Sequence, residues 1–185
     1  TRPLMDLKKI AERIKLINIP LLEDDILDFL KITRRWQYRN SWGHPSIEMI
    51  DSLGRRQSER FYDMKGELIF DVWKQYYDKG FTFILTNILD LTKELRTIDN
   101  IVKDQTGWHT WGNFYFSKPG RKASFDSHQH DYDVIVKQIY GNSHWKIADK
   151  NFILRPDEVC FIPAKTNHMV YNKDENKLSL TINIE

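Results

Sequence analysis

One change in the period of the apolar residues constrains this chain more than any other feature. Up to about residue 107 they recur at helical spacing: Leu7, Ile10 and Ile14; Leu22, Ile26, Phe29 and Leu30 after Pro20; Ile69, Val72, Trp73 and Tyr76 before Lys79-Gly80; and Leu91, Leu95, Ile98 and Val102. Four helices are expected there, with one strand at Phe81–Leu85. From Trp108 onward the pattern becomes short runs of Val, Ile, Phe and Tyr broken at Pro119-Gly120, Gly141-Asn142, Arg155-Pro156 and Asn172-Lys173. Such a half reads as an antiparallel sandwich or barrel. With no internal repeat and no linker, the 185 residues are expected to form one structural domain.

Composition narrows the function classes. The 28 Lys and Arg nearly balance the 26 Asp and Glu, so the chain has no strong field for tracking nucleic acid. No run approaches the roughly 18 apolar residues of a membrane span, and the charged first twenty residues do not read as a secretory signal. The single cysteine, Cys160, excludes an internal disulfide or a multi-cysteine metal site, and in the run Val159-Cys160-Phe161-Ile162 it reads as a small buried hydrophobe. A cytoplasmic protein is the expectation. The chain opens at Thr1 without Met, as a trimmed or processed chain would.

The chemistry lies in the histidines. His128 and His130 are two residues apart, so on a strand both imidazoles face one side and can reach one metal ion. His168 follows the turn Pro163-Ala164-Lys165-Thr166-Asn167 and supplies a third ligand from a facing strand. A three-histidine set leaves coordination positions open for water, dioxygen or substrate, and it suits iron, zinc, copper, nickel or manganese. Asp126, Asp131 and Asn172 are the nearest acceptors for orienting the rings. The interleaved bases and aromatics Arg34–Arg39 read as a helix end, and His44 and His109 read as packed among aromatics. No phosphate-cradling glycine loop or Ser or Cys nucleophile motif is present.

These residues resemble the signature of the cupin superfamily. His128-x-His130 is followed at the family's distance by Gly141, and the later motif reads Pro163-x-Lys165-x-x-His168-x-x-x-Asn172, with Lys where the family has Gly. The family's Glu ligand falls on Val134, which cannot bind metal. Over roughly residues 80 to 184 the chain more closely resembles the JmjC-type branch, especially ribosomal-oxygenase-like hydroxylases. It shares Asn113-Phe114-Tyr115, His128-x-His130, Asp133-Val134, Gln138, Gly141-Asn142-Ser143-His144-Trp145 and His168 in order.

The resemblance implies a mainly β fold, a double-stranded β-helix (cupin or jelly-roll barrel) over residues 81–185, with an N-terminal helical layer over residues 1–80. It implies a non-haem iron oxygenase with His128, His130 and His168 as metal ligands, Fe(II) or another divalent metal such as Zn, Mn or Ni, and 2-oxoglutarate as co-substrate. Oxygen is activated at the metal, so no catalytic residue beyond the ligands is required. Asn113 matches an Asn near the co-substrate, and Tyr115 and Tyr132 are candidates to line the substrate pocket.

Two positions depart from that pattern. His130 stands where the branch has a carboxylate ligand, and Ser143 stands where a Lys or Arg pairs with the far carboxylate of 2-oxoglutarate. Lys137 and Arg155 are the candidate replacement cations. The alternatives are a three-histidine dioxygenase, lyase or isomerase independent of 2-oxoglutarate, and a non-catalytic metal-binding module. Larger relatives continue past the barrel, so a small-molecule or short-peptide substrate is expected alongside dioxygen. Open sheet edges offer a surface for a homodimer.

Overall fold

The structure is a computed structural model that describes residues 4–32, 46–107, 109–120, 127–171 and 174–185. Its elements in chain order are α1 (Leu4–Lys15), α2 (Glu23–Ile32), β1 (Ile47–Ile50), β2 (Arg56–Gln57), a single 3-10 turn, α3 (Phe70–Asp78), β3 (Thr82–Leu85), α4 (Lys93–Thr106), and then seven strands. These are β4 (Thr110–Ser117), β5 (Asp133–Tyr140), β6 (Ser143–Ile147), β7 (Lys150–Leu154), β8 (Val159–Ile162), β9 (His168–Val170) and β10 (Lys177–Ile184). The four expected helices and the strand near residues 81–85 are all present.

Residues 1–80 are not helical throughout, as the apolar spacing had suggested. β1 and β2 lie inside this segment and extend the main sheet, with Ile47 opposite Leu85 and Met49 opposite Phe83. Strands of four and two residues are too short to display a period; β1 is held by pairing with β3, distant in the chain, and β2 by pairing with β1.

All pairing is antiparallel. One sheet has the order β2-β1-β3-β4-β10-β5-β8, and the other β7-β6-β9. The chain leaves the large sheet after β5 and enters the small one at β6 across Gly141-Asn142, so the two sheets close a jelly-roll sandwich of the double-stranded β-helix kind.

The central strand β10, Lys-Leu-Ser-Leu-Thr-Ile-Asn-Ile, shows how the layers form. Alternation sends Leu178, Leu180, Ile182 and Ile184 to one face and Lys177, Ser179, Thr181 and Asn183 to the other. The apolar face joins the helical layer in one core with Leu7, Ile10 and Ile14 of α1, Trp73 and Tyr77 of α3, and Leu95, Ile98 and Val102 of α4. Burying each such aliphatic side chain contributes roughly 1.5–3 kcal/mol. Trp73 stacks on Tyr77 at 5.1 Å and meets Phe83 at 5.2 Å. The polar face looks into the sandwich, where Val134, Val136, Trp145, Leu154 and Ile162 form a second, smaller cluster.

Candidate metal centre

The three histidines meet at one end of the sandwich interior. His128 and His130 precede β5 rather than lying on it, and His128 forms a two-way backbone bridge with His168 at the start of β9. His128 N donates to His168 O at 3.1 Å, and His168 N donates to His128 O at 2.9 Å. Lys165, in the left-handed region at φ 62°, donates its N–H to His130 O at 2.6 Å and so holds the Pro163–Asn167 turn against the pair. Asp133 supports the same turn, its Oδ1 accepting from Ala164 N at 2.8 Å.

The rings lie 4.4 to 4.9 Å apart between centroids, and their ligand nitrogens all fall within 4.8 Å of one another. A metal bound at about 2.1 Å to each nitrogen needs separations of about 3.0–3.5 Å, which small ring rotations reach. Nδ1 of His168 sits 2.9 Å from Thr166 O. A carbonyl only accepts, so Nδ1 carries the proton and Nε2 presents its lone pair to the shared point. Tyr132 stacks on His130 at 4.7 Å with 7° between planes, and Trp111 meets Tyr132 edge-on at 4.8 Å. Burial, then the neighbouring His128 and His168, push the His130 imidazolium down to about 4, and burial also lowers His168. Neutral imidazoles at ordinary pH fit a divalent metal.

Behind the histidines lies a cavity of about 80 Å³. Val134, Trp145 and Ile162 form its apolar walls, and Ser117, Ser143, Lys177, Ser179 and Thr181 its polar lining. Tyr115 and Tyr132 both border it. An open groove outside it, lined by Glu48, Arg56, Asp90, Lys103 and Trp111, shares Tyr132 as its boundary.

Several expected positions fall elsewhere. Lys137 points away from the cavity, because it sits one residue out of phase with Val134 and Val136. It is fully buried against α1, its Nζ donating to Lys15 O at 3.0 Å, so it cannot pair with an acid beside the metal. Arg155 is exposed and lies against Glu158. Asn113 lines the outer groove and not the cavity, with Oδ1 accepting from Asn87 N at 3.2 Å. Ser143 does border the cavity, fully buried, 3.2 Å from Ser179 Oγ. His109 stacks on Trp111, and His144 packs edge-on to Tyr171 away from the centre. Cys160 packs against the inner cluster, and burial pushes its thiol up to about 12, which leaves it inert. Asp126, Asn172, Arg34–Arg39 and His44 lie outside the described residues.

Sequence reading missed Lys177, Ser117 and Thr181 as cavity residues. The strict polar–apolar alternation of residues 177–184 is the signal that would have found two of them.

Residues 85–151 match the JmjC domain family. No curated protein matches the chain. Among solved structures, YcfD, a ribosomal oxygenase from Escherichia coli, in complex with cobalt and succinic acid is similar at a TM-score of 0.64 and 13% identity, covering 90% of this chain and 44% of that one. Its complex with cobalt and 2-oxoglutarate gives 0.63 and 14%, with the same coverage. The chain carries a JmjC-like fold with a three-histidine site able to hold a metal. It spans less than half the length of the oxygenase chains it matches. Among the described residues no helix is long and apolar enough to cross a membrane.

Proposed function

We propose that this chain is the catalytic barrel of an Fe(II)-dependent oxygenase that uses 2-oxoglutarate and acts on a small molecule or short peptide. The observation that carries the reading is the convergence of His128, His130 and His168 at the mouth of a cavity whose far lining is polar and cationic. A bound Fe(II) supplies dioxygen activation, and the chain supplies geometry and exclusion of water. Thr166 O fixes the His168 tautomer, the Tyr132 ring holds His130 in place, and Trp145 and Val134 wall the cavity from solvent. The fold likeness to YcfD, whose solved complexes include cobalt with 2-oxoglutarate, supports the assignment. The outer groove bordering Tyr132 offers a substrate an approach to the centre.

A second reading rests on the all-nitrogen donor set. Three neutral ligands leave a metal more positive than two histidines and a carboxylate would, which favours direct activation of a chelating substrate without the co-substrate. Anaerobic Fe(II) titration followed by 2-oxoglutarate separates the two. The expected result is a visible charge-transfer band, and succinate release once air is admitted. Iron uptake with neither signal overturns the 2-oxoglutarate reading in favour of the second. Absence of metal uptake overturns both and leaves a binding module.

A further inference from the structure

We propose that Lys177, with Ser117 beside it, forms the anion-holding part of the cavity and binds the far carboxylate of a dicarboxylic 2-oxo acid whose oxo end faces the histidines. This rests on the 2-oxoglutarate reading above and supplies the cation that Ser143 does not.

Gln138 directs its Nε2–H groups to Tyr140 O and Gly141 O, both at 3.1 Å, so its Oε1 is an acceptor. Ser179 Oγ donates to that oxygen at 2.6 Å. With its one hydrogen committed, Ser179 can only accept from Ser143, 3.2 Å away. The hydroxyl hydrogens of Ser143 and Ser179 are therefore both engaged within the wall, and Ser143 has none to offer an anion. Thr181 Oγ1 leans on Asn113 O at 3.4 Å.

Two donors bordering the cavity have no such outlet. Ser117 Oγ and Trp145 Nε1 are buried without a hydrogen-bond partner among the described residues. Buried polar groups are normally satisfied, so two unsatisfied donors on one small cavity point to an acceptor that binds there. Ser117 is the direct register partner of Lys177 across β4 and β10, which places a hydroxyl beside the only Lys or Arg that lines the cavity among the described residues. Lys177 is 6% exposed. Burial drives its ammonium down to about 8, and Asp174 and Glu175, on the approach to β10, act in the opposite direction. A carboxylate in the cavity would give this ammonium a further charge-assisted partner.

The test compares two acids that share the metal-binding end and differ at the far end. 2-Oxoglutarate carries the second carboxylate, and 2-oxopentanoate replaces it with a methyl group. Calorimetry on Co(II)-loaded protein, with metal content measured first, should show a preference for 2-oxoglutarate of about 10- to 100-fold. Lys177→Met should reduce that preference to within about 3-fold, Lys177→Arg should retain most of it, and Ser117→Ala should lose part. Equal preference in the wild type and Lys177→Met overturns the assignment of Lys177 while leaving the oxygenase reading intact. Failure of the metal-loaded wild type to bind either acid overturns both. Succinate binding to metal-free protein, followed by NMR, reads the cation without the metal. Loss of that binding in Lys177→Met, with metal uptake unchanged, is the expected result.

Discussion

Replacing Gly141 with Ala should unfold this protein far more readily than replacing Gly112 with Ala, although both substitutions add one methyl group. Gly141 stands at φ 64°, where an L side chain costs about 1–2 kcal/mol. Its added Cβ would overlap the Asn176 carbonyl oxygen and lie 2.9 Å from Lys177 Cα, both backbone atoms that cannot rotate away. Relief requires moving the β5–β6 crossing, which strains the Gln138 bond to Gly141 O and the Glu175 bond to Asn142 N, at about 1 kcal/mol each. The total is about 3–4 kcal/mol, or about 6–16 °C in Tm for a chain of this size. At Gly112 the φ is unstrained and the new Cβ meets only Leu89 side-chain atoms, the nearest at 2.6 Å, which a rotamer change can relieve for about 1–2 kcal/mol. Thermal unfolding followed by circular dichroism measures both. A Gly141→Ala protein melting within about 2 °C of wild type, or above Gly112→Ala, would refute the reasoning.

Three further outcomes are expected. Lys137→Met should lower Tm by about 2–4 °C, since it strips the donor from Lys15 O at the end of α1, yet leave 2-oxoglutarate affinity within about 2-fold; a large loss of acid binding would show that the cavity assignment is wrong. His168→Ala should abolish the metal-induced rise in Tm, which for wild type at about 100 times the metal Kd amounts to about 2.7 kcal/mol, or about 5–11 °C. Affinity for 2-oxoglutarate should hold below about pH 8 and weaken above it. Lys177 loses its charge as pH rises through that value, whereas His130 is already neutral and the Tyr115 phenol, pushed upward by desolvation, stays protonated. A Lys177→Arg protein should stay flat over the same range, and a parallel decline in both proteins would remove Lys177 from the explanation.

How much of this was legible in the sequence depended on how local the cause was. The helices showed themselves because each needs one apolar stripe, and Leu95, Ile98 and Val102 or Leu7, Ile10 and Ile14 display it without reference to the rest of the chain. The pair β1–β2 did not, since Ile47 and Met49 become strand residues only by pairing with β3. The histidines were legible as a group, although what aligns His128 with His168 is a backbone bridge between two loop ends and not a continuous strand. The cation was legible only by parity. Lys137 is out of phase with Val134 and Val136, which line the cavity, while Lys177 shares its phase with Ser179 and Thr181, which also line it. Deciding between the two requires knowing which face of each strand looks inward, and that is set by where the helices pack.

The reciprocal bond between His128 and His168 also bears on how a metal would be acquired at this site. Two of the three candidate ligands are fastened by their own main chains, one before β5 and the other opening β9, so bringing them together is part of closing the barrel. The entropy of gathering the ligands is lost on folding and not on metal uptake, as in a rigid chelator. Amide exchange at His128 and His168 should therefore be slow before any ion arrives. Selectivity among divalent ions then rests on how far three anchored rings can tilt, and little on how the chain rearranges around the ion.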